Sequence, residues 1–217
     1  NLLRLAGKGK ILDVACGQGF LAHEFARAGA NVTGVDISPE LIAIARKKYS
    51  DGAFLVAPAE HLPFPGAQFD VVLLVLALQN IEHADAALKE CARVLRPDGR
   101  LLLVINHPAF RIPKASEWGW DEPRRVQYRR LDRYLSESRE EIAMNPSVEK
   151  PIITYSFHRP LQWYVKALRA AGLHITALEE WISPKISDSG PRAPAENMAR
   201  KEFPLFLFLE CTKTSHG

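Results

Sequence analysis

The run "DVVLLVL", residues 70–76, restricts the fold of this chain more than any other segment. It is continuously apolar after its single acid and carries β-branched residues. A half-buried strand would alternate apolar and polar residues, whereas a strand covered on both faces reads as an unbroken apolar run. The segment therefore predicts a central strand of a sheet that has layers packed on both sides.

Strand-like and helix-like segments alternate along the chain and are joined by short turns. Strands are predicted at 10–14, 31–37, 53–57, 70–76 and 100–105, and helices at 19–28, 41–49, 84–95 and 160–171. The closing segments 173–180 and 203–211 are predicted to pair as antiparallel strands. A repeated strand–helix–strand order indicates an α/β fold with a mostly parallel sheet and helices on both faces.

Composition limits the class of protein. A length of 217 residues fits one domain, 1–217, and 47% hydrophobic with 24% charged residues is typical of a globular protein. A net charge of +3 is too weak to indicate nucleic acid or membrane as a partner. The three cysteines match neither a disulfide framework nor a zinc site, which favours a cytoplasmic location. The chain begins without Met, which leaves open whether a natural N-terminal segment precedes it.

Residues 107–159 interrupt this pattern. They contain no clear strand, and more than fifty residues form an unusually long connection between two elements. We therefore expect an inserted cap, or lid, after the fifth strand.

An arginine-rich stretch inside the cap, "PRRVQYRRLDRY", allows two interpretations. It could present a basic, aromatic surface to RNA or to an anionic substrate. Alternatively, it forms a helix whose arginines pair with nearby acids, namely Asp121, Glu122, Asp132 and Glu137. The sequence leaves both open.

The first predicted strand runs into a glycine loop, "ILDVACGQGF". Residues 17–22 fit the G-x-G-x-x-A fingerprint of dinucleotide sites, in which a helix N-terminus faces a pyrophosphate. Asp13, four residues before Gly17, would repel such an anion. A cationic ligand such as S-adenosyl-L-methionine, with a sulfonium and an ammonium, suits this acid better.

Four blocks in order strengthen that interpretation: "LDVACGQG", "VDISPE", "AEHLPFPGAQFDVVLLVLALQNI" and "RVLRPDGRLLLV". Over residues 10–106 the chain resembles the class I S-adenosylmethionine-dependent methyltransferases, in particular those that act on small molecules. The resemblance implies a Rossmann-like, seven-stranded sheet whose last strand is antiparallel, with S-adenosyl-L-methionine as cofactor.

The resemblance also implies roles for individual residues. Residues lining the methionine part of the cofactor would be Asp13, Ala15, Cys16, Gly17 and Gly19. Asp36 would accept both ribose hydroxyls. Ile37 would pack on the adenine, and Ala59 and Glu60 would lie at its edge. Leu76 to Gln79 would border both cofactor and acceptor. The chain departs from the family pattern twice, because Ala15 replaces a glycine and Pro58 replaces a common aspartate.

The acceptor side is predicted from position alone. His107 follows the fifth strand, and His158 and Arg159 precede the next helix, so all three should reach the cofactor edge of the sheet. An imidazole can take a proton at neutral pH, and an arginine can hold a carboxylate or phosphate. His107 and His158 are thus candidate catalytic residues, and Trp120, Tyr128 and Arg159 candidate substrate-binding residues. No metal site is expected.

Methyl transfer to O, N or C of a small molecule is the favoured function. An RNA methyltransferase is the first alternative, and it depends only on the arginine-rich stretch. An NAD(P)-binding oxidoreductase or a catalytically silent cofactor-binding module belongs to a different class of protein. Neither the acceptor nor the oligomeric state can be read from the sequence.

Overall fold

The structure is a computed structural model that describes residues 2–49, 52–144 and 152–213. The helices are α1 (Leu2–Ala6), α2 (Phe20–Arg27), α3 (Pro39–Lys48), α4 (Ala84–Val94), α5 (Leu161–Ala170) and α6 (Ala193–Glu202). The strands are β1 (Lys10–Val14), β2 (Asn31–Asp36), β3 (Ala53–Val56), β4 (Phe69–Val75), β5 (Leu95–Asn106), β6 (Ser116–Asp121), β7 (Val126–Leu131), β8 (Ser138–Met144), β9 (Ile152–His158), β10 (Leu173–Trp181) and β11 (Phe206–Lys213). A 3-10 turn, Leu78–Asn80, follows β4.

Seven strands form one sheet in the order β10-β11-β5-β4-β1-β2-β3. The pairs β1–β2, β1–β4, β2–β3 and β4–β5 are parallel, and β11 runs antiparallel to both β5 and β10. This confirms the predicted Rossmann-like sheet with its antiparallel last strand. The strands after β1 first extend the sheet on one side, through β2 to β3. The chain then returns to place β4 and β5 on the other side of β1, so the strand order reverses between β1 and β4. Ligands of open α/β sheets bind at such a switch point, beyond the C-terminal strand ends.

Strand β4 is covered on both faces, as its sequence predicts. Val72 and Leu74 belong to an apolar cluster that includes residues of α4 and α5. Val71 and Leu73 belong to a second cluster that includes residues of α2 and α3. Because side chains alternate between faces along a strand, this one segment contributes to both halves of the core.

Helix α3 begins where its capping residues predict. The Ser38 hydroxyl accepts a hydrogen bond from the Leu41 amide at 3.2 Å, and Pro39 occupies the first helical position. A serine cap satisfies one of the free amides of a helix start, and a proline there loses nothing because its position needs no donor. None of the helices in the described ranges is long and apolar enough to cross a bilayer.

The cap segment differs from the prediction. Two antiparallel hairpins, β6–β7 and β8–β9, occupy the region where no strand was expected. The arginine-rich stretch is a turn followed by β7 rather than a helix, although two of the expected acids do pair with its arginines: Asp121 with Arg124 at 3.9 Å and Asp132 with Arg130 at 3.0 Å. Residues 145–151 of the predicted cap lie outside the described residues.

Two smaller differences concern element boundaries. Helix α6 was not predicted, because its sequence "APAENMARKE" is mostly polar and buries only Ala199. The predicted turn 96–99 falls within β5, where the pairing with β4 jumps from Leu95 to Arg100. The loop it forms bulges out of the strand, so the strand begins before the turn instead of after it.

Candidate functional site

The loops after β1, β2, β3 and β4 meet at one edge of the sheet and enclose a cavity of ≈150 Å³. We call it the strand-end cavity. Its lining residues are Ala15, Ile37, Ala57, Ala59, Glu60, Asn80, Ile81 and Glu82. Four of them, Ala15, Ile37, Ala59 and Glu60, are among the predicted cofactor-binding residues. Ile37 is 68% exposed, which is unusual for an isoleucine and leaves its side chain free to cover a ligand.

The glycine loop has a left-handed backbone at three positions. The φ angles are 57° at Ala15, 56° at Gly17 and 79° at Gly19. A Cβ atom on Gly19 would lie 2.7 Å from the Phe54 ring, so this position requires glycine for space as well as for conformation. At Ala15 the replacement of glycine therefore carries a conformational cost that the small size of a methyl group does not reveal.

Asp36 is held in place at the end of β2. Its Oδ2 accepts a hydrogen bond from the Gly17 amide at 2.8 Å, and its Oδ1 accepts one from the Ser38 amide at 2.9 Å. The side chain is buried, yet each carboxylate oxygen has a further lone pair. The glycine loop and the acid of the second strand thus form one connected unit, with the acid oriented for two further donors.

Two buried acceptors at this edge have no donor within the described part of the chain: Asp13 Oδ2 and Gln79 Oε1. Burial raises the pKa of Asp13 to about 7, the Ala22 amide opposes this shift, and Asp36 adds to it. The Gln79 amide is oriented by its Nε2, which donates to the Leu76 carbonyl at 2.7 Å. Buried acceptors are nearly always paired, so both oxygens point to a donor-rich ligand.

Leu76 itself is strained and exposed. Its φ angle is 54° and its side chain is 42% exposed, which is rare for a bulky residue. Such conformations concentrate at ligand sites. Leu76 and Ala15 are both predicted cofactor residues.

Cys16 lies in the same loop but is no candidate nucleophile. Burial, followed by the nearby charges of Asp13 and Asp36, raises the pKa of its thiol far above the ordinary value. The reactive thiolate is therefore suppressed. Cys16 contributes its backbone, whose amide donates to the Val35 carbonyl at 2.9 Å.

The strand-end cavity extends beyond the residues that the sequence predicts after β4. Asn80, Ile81 and Glu82 line the strand-end cavity, whereas the predicted set ends at Gln79. Asn80 is a polar residue in the 3-10 turn that follows β4, and loops beyond the ends of central parallel strands are typical site positions. Asn80 also reaches the cap, where its Nδ2 donates to the Tyr155 carbonyl of β9 at 2.8 Å.

A second, smaller cavity of ≈10 Å³ lies between this loop and the cap, and we call it the cap-base cavity. It brings together three predicted residues, Gln79, His158 and Arg159. The Nε2 atom of His158 donates to the Tyr134 carbonyl at 2.7 Å. In the neutral ring the lone pair therefore resides on Nδ1.

His107 is engaged at both ring nitrogens. Its Nδ1 accepts from the amides of Ala109 and Phe110 at 3.2 and 3.3 Å, so the ring proton resides on Nε2, which donates to Glu180 at 2.8 Å. The ring fixes the turn that leads out of β5. A proton-transfer role would require one of these bonds to break.

Trp120 and Tyr128 lie in the first hairpin and line neither cavity. The Trp120 indole donates to Glu122, and Arg192 lies over its ring at 4.8 Å. Tyr128 packs over Gly119 and is 46% exposed. It is the second hairpin, β8–β9, that contacts the loop after β4.

Known proteins resemble part of this chain in sequence. The family model described as a methyltransferase domain matches residues 12–103. A demethylmenaquinone methyltransferase of Chlorobaculum tepidum is 50% identical over 91 residues, which are 42% of this chain and 38% of that protein. A ubiquinone/menaquinone biosynthesis C-methyltransferase, UbiE, of Bordetella parapertussis is 36% identical over 154 residues, which are 64% of this chain and 58% of that protein. The chain thus spans less than two thirds of the length of these curated relatives.

Solved structures resemble the chain over nearly its whole length. The crystal structure of an S-adenosylmethionine-dependent methyltransferase from Mesorhizobium loti has a TM-score of 0.76 and 25% identity, and the match covers 97% of this chain and 95% of that one. A Methanosarcina mazei structure with 18% identity and a TM-score of 0.68 shares the fold over 98% of this chain and 97% of its own. The matched family model, the strand order of the sheet and these likenesses together support a class I S-adenosylmethionine-dependent methyltransferase.

Proposed function

We propose that this protein transfers a methyl group from S-adenosyl-L-methionine to a small-molecule acceptor. The observation that carries the proposal is a pair of buried acceptors, Asp13 Oδ2 and Gln79 Oε1, that find no donor among the described residues and lie beside the carboxylate of Asp36. An edge of this kind favours a ligand rich in donors and positive charge. It opposes a pyrophosphate, so an NAD(P)-binding oxidoreductase is not favoured.

The residues at the strand ends fit the parts of this cofactor. Asp13, the glycine loop and Gln79 would hold the methionine part, whose ammonium is a donor and a cation. Asp36 would receive the ribose hydroxyls on its remaining lone pairs. Ile37, Ala59 and Glu60 would surround the adenine in the strand-end cavity. When bound, the cofactor supplies an electrophilic methyl group.

Methyl transfer of this type is an in-line displacement, so the chain has to align the acceptor and exclude water. The loop after β4 and the cap hairpin β8–β9 meet over the site and can do both. If the acceptor loses a proton, His158 is better placed than His107 to take it. The lone pair of His158 is on Nδ1, whereas both nitrogens of His107 already bond to protein groups.

A small-molecule acceptor is favoured over RNA. The relatives named above are a demethylmenaquinone methyltransferase and a quinone-biosynthesis C-methyltransferase. The arginine-rich stretch, on which the RNA alternative depends, neutralises part of its charge through the ion pairs of Arg124 and Arg130. The proposal includes a cytoplasmic location for the enzyme.

Isothermal titration calorimetry with S-adenosylmethionine, its demethylated product and NAD tests the proposal. We expect the first two to bind and NAD to give no measurable heat. Asp36→Asn should weaken cofactor binding by about 10- to 100-fold, because a hydrogen bond to a charged acceptor contributes about 1.5–3 kcal/mol.

Asp70→Asn is the matched control for that variant. Asp70 also accepts from a backbone amide, that of Lys10, but it lies near the start of β4, at the opposite edge of the sheet. Its replacement should leave cofactor affinity unchanged. Equal affinities of the Asp36→Asn protein and the parent, or tighter binding of NAD than of S-adenosylmethionine, would contradict the proposal.

A further inference from the structure

Arg159 is a buried cation that has no acidic partner among the described residues. Its side chain is 5% exposed, and its Nη2 donates to the carbonyls of Ile81 at 3.0 Å and Glu82 at 2.8 Å. Its Nη1 is buried and bonds to no group in the described residues. Buried charges are normally paired with an opposite charge, and carbonyl oxygens supply only partial charge. The guanidinium therefore has both an unused donor and an uncompensated charge.

The described residues that line the cap-base cavity next to Arg159 include further donors and no carboxylate. Arg111 and Tyr164 are among its lining residues and supply donors, whereas Gln79 and His158, which also line it, offer the acceptors Oε1 and Nδ1. Burial raises the pKa of the Tyr164 phenol to about 12, against the opposing charge of Arg159 and a hydrogen bond with the Arg159 side chain, so the phenol keeps its proton at neutral pH. Glu137 influences Tyr164 from a distance but does not line the cavity. Positive charge and hydrogen-bond donors from Arg159, Arg111 and Tyr164 thus reach a space that no carboxylate of the described residues lines.

We propose that the methyl acceptor carries a carboxylate and that Nη1 of Arg159 binds it, assisted by Arg111 and the Tyr164 hydroxyl. This proposal rests on the proposed methyl transfer. Arg159 binds the carbonyls of Ile81 and Glu82, and these two residues line the strand-end cavity in which the cofactor would bind. The rings of Phe157 and Trp163 lie 5.1 and 4.7 Å from the guanidinium carbon and make the surroundings apolar. A charge-assisted hydrogen bond is strong in such an environment.

The size of the cavity favours a carboxylate and requires movement of the cap. A volume of ≈10 Å³ corresponds to about one water molecule. A planar carboxylate needs less space than a tetrahedral phosphate, and even the carboxylate requires the hairpin β8–β9 to shift outward. The acceptor would thus be anchored by its acid group at the base of the cap, with its reacting atom towards the strand ends.

Calorimetry with benzoate tests this, in the presence of saturating demethylated cofactor and also without it. Benzoate should bind the parent, benzamide of the same shape should bind at least about tenfold more weakly, and inorganic phosphate should bind more weakly than benzoate. Arg159→Gln keeps an amide that can donate to Ile81 and Glu82 but removes the charge. It should lower benzoate affinity by about tenfold or more, and Arg159→Lys should restore part of it.

Two further arginine variants separate binding from folding. Arg159, not Arg111, binds the carbonyls of Ile81 and Glu82, so Arg111→Gln leaves those bonds in place. It should also weaken the binding of benzoate. Arg169→Gln, an exposed arginine on the same helix α5, should not. Failure of benzoate to bind the parent, equal affinity for benzamide, preference for phosphate, or unchanged benzoate affinity in Arg111→Gln would overturn the proposal. Cofactor binding is measured separately, so failure of the proposed methyl-transfer function remains distinguishable.

Discussion

The Asp13 carboxyl, at the end of β1, is 2% exposed and has a pKa of about 7 instead of 3.8. Between these values the folded chain retains a proton that the unfolded chain has lost. The free energy of unfolding should therefore fall with rising pH in this window, by up to about 1.4 kcal/mol per pH unit, and level off above pH 7. Urea denaturation from pH 4 to 8 measures the slope, and Asp13→Asn should remove this contribution.

The same ionisation should govern cofactor affinity. A bound cation favours the ionised carboxylate, so affinity for S-adenosylmethionine should rise as the pH approaches 7 and remain constant above it. Calorimetry from pH 5.5 to 8.5 on the parent and on Asp13→Asn checks this. An identical pH profile in both proteins would show that another group controls binding.

Ala15 allows a test of backbone strain at the site. With a φ of 57°, its left-handed conformation costs about 1–2 kcal/mol. Glycine would recover only part of this cost, because a glycine also has more conformational freedom in the unfolded chain. Ala15→Gly should thus raise the free energy of unfolding by about 0.5–1 kcal/mol. Ala67→Gly, at φ 56° and far along the chain, should behave alike. Ala43→Gly, at an exposed position of α3, should instead lower the free energy of unfolding by about 0.5–1 kcal/mol. An equal loss in Ala15→Gly would contradict the proposed backbone strain at Ala15.

Sequence could predict site residues whose role follows from a strand end. Asp13 and Asp36 stand directly at the ends of β1 and β2, and the glycine loop between them is a local motif. It could not predict the state of His107, because the Glu180 carboxylate that binds its ring lies 73 residues further along the chain. The unused nitrogen of Arg159 likewise depends on which carbonyls a distant loop presents. Such properties arise from tertiary contacts.

Among the elements, the two cap hairpins have different neighbours. Hairpin β8–β9 is tied to the loop after β4 through Asn80 and the Tyr155 carbonyl, whereas β6–β7 packs against α6 and Phe203. Hydrogen exchange should therefore slow in β9 when the demethylated cofactor binds and remain unchanged in β6–β7. In Asn80→Ala the protection of β9 should be lost while the cofactor still binds. Equal slowing of both hairpins would contradict this coupling.

The strands of the first cap hairpin were missed because their side chains show no clear apolar alternation. Strand β7, "VQYRRL", is exposed at four of its six positions and half-buried at the other two. Hydrophobic periodicity, the main signal for a strand, is absent when neither face is buried. By contrast, β4 and the segment 100–105 of β5 enter the core, and their apolar runs predicted them correctly.

At the scale of the whole molecule, β4 is covered on both faces. Side chains on its two faces should therefore contribute similarly to the free energy of unfolding. Leu73 and Leu74 point to opposite clusters and are each fully buried. Replacement of either by Ala should lower the free energy of unfolding by about 2–5 kcal/mol. Leu55→Ala, 39% exposed on the edge strand β3, should cost about 1 kcal/mol or less. Urea denaturation of the three variants would reveal a one-sided core if Leu73 and Leu74 differed strongly.

The bonds from Arg159 to the Ile81 and Glu82 carbonyls cross from the cap to the sheet. They have a consequence for engineering. A chimera that receives a foreign cap would lose the clamp on the loop that lines the strand-end cavity, and with it the shape of a site formed by residues the graft never touched. A transplant that retains Arg159 and the Tyr155 carbonyl opposite Asn80 would preserve both attachments. An exchange of the cap in this fold should therefore retain these two attachments to the loop after β4.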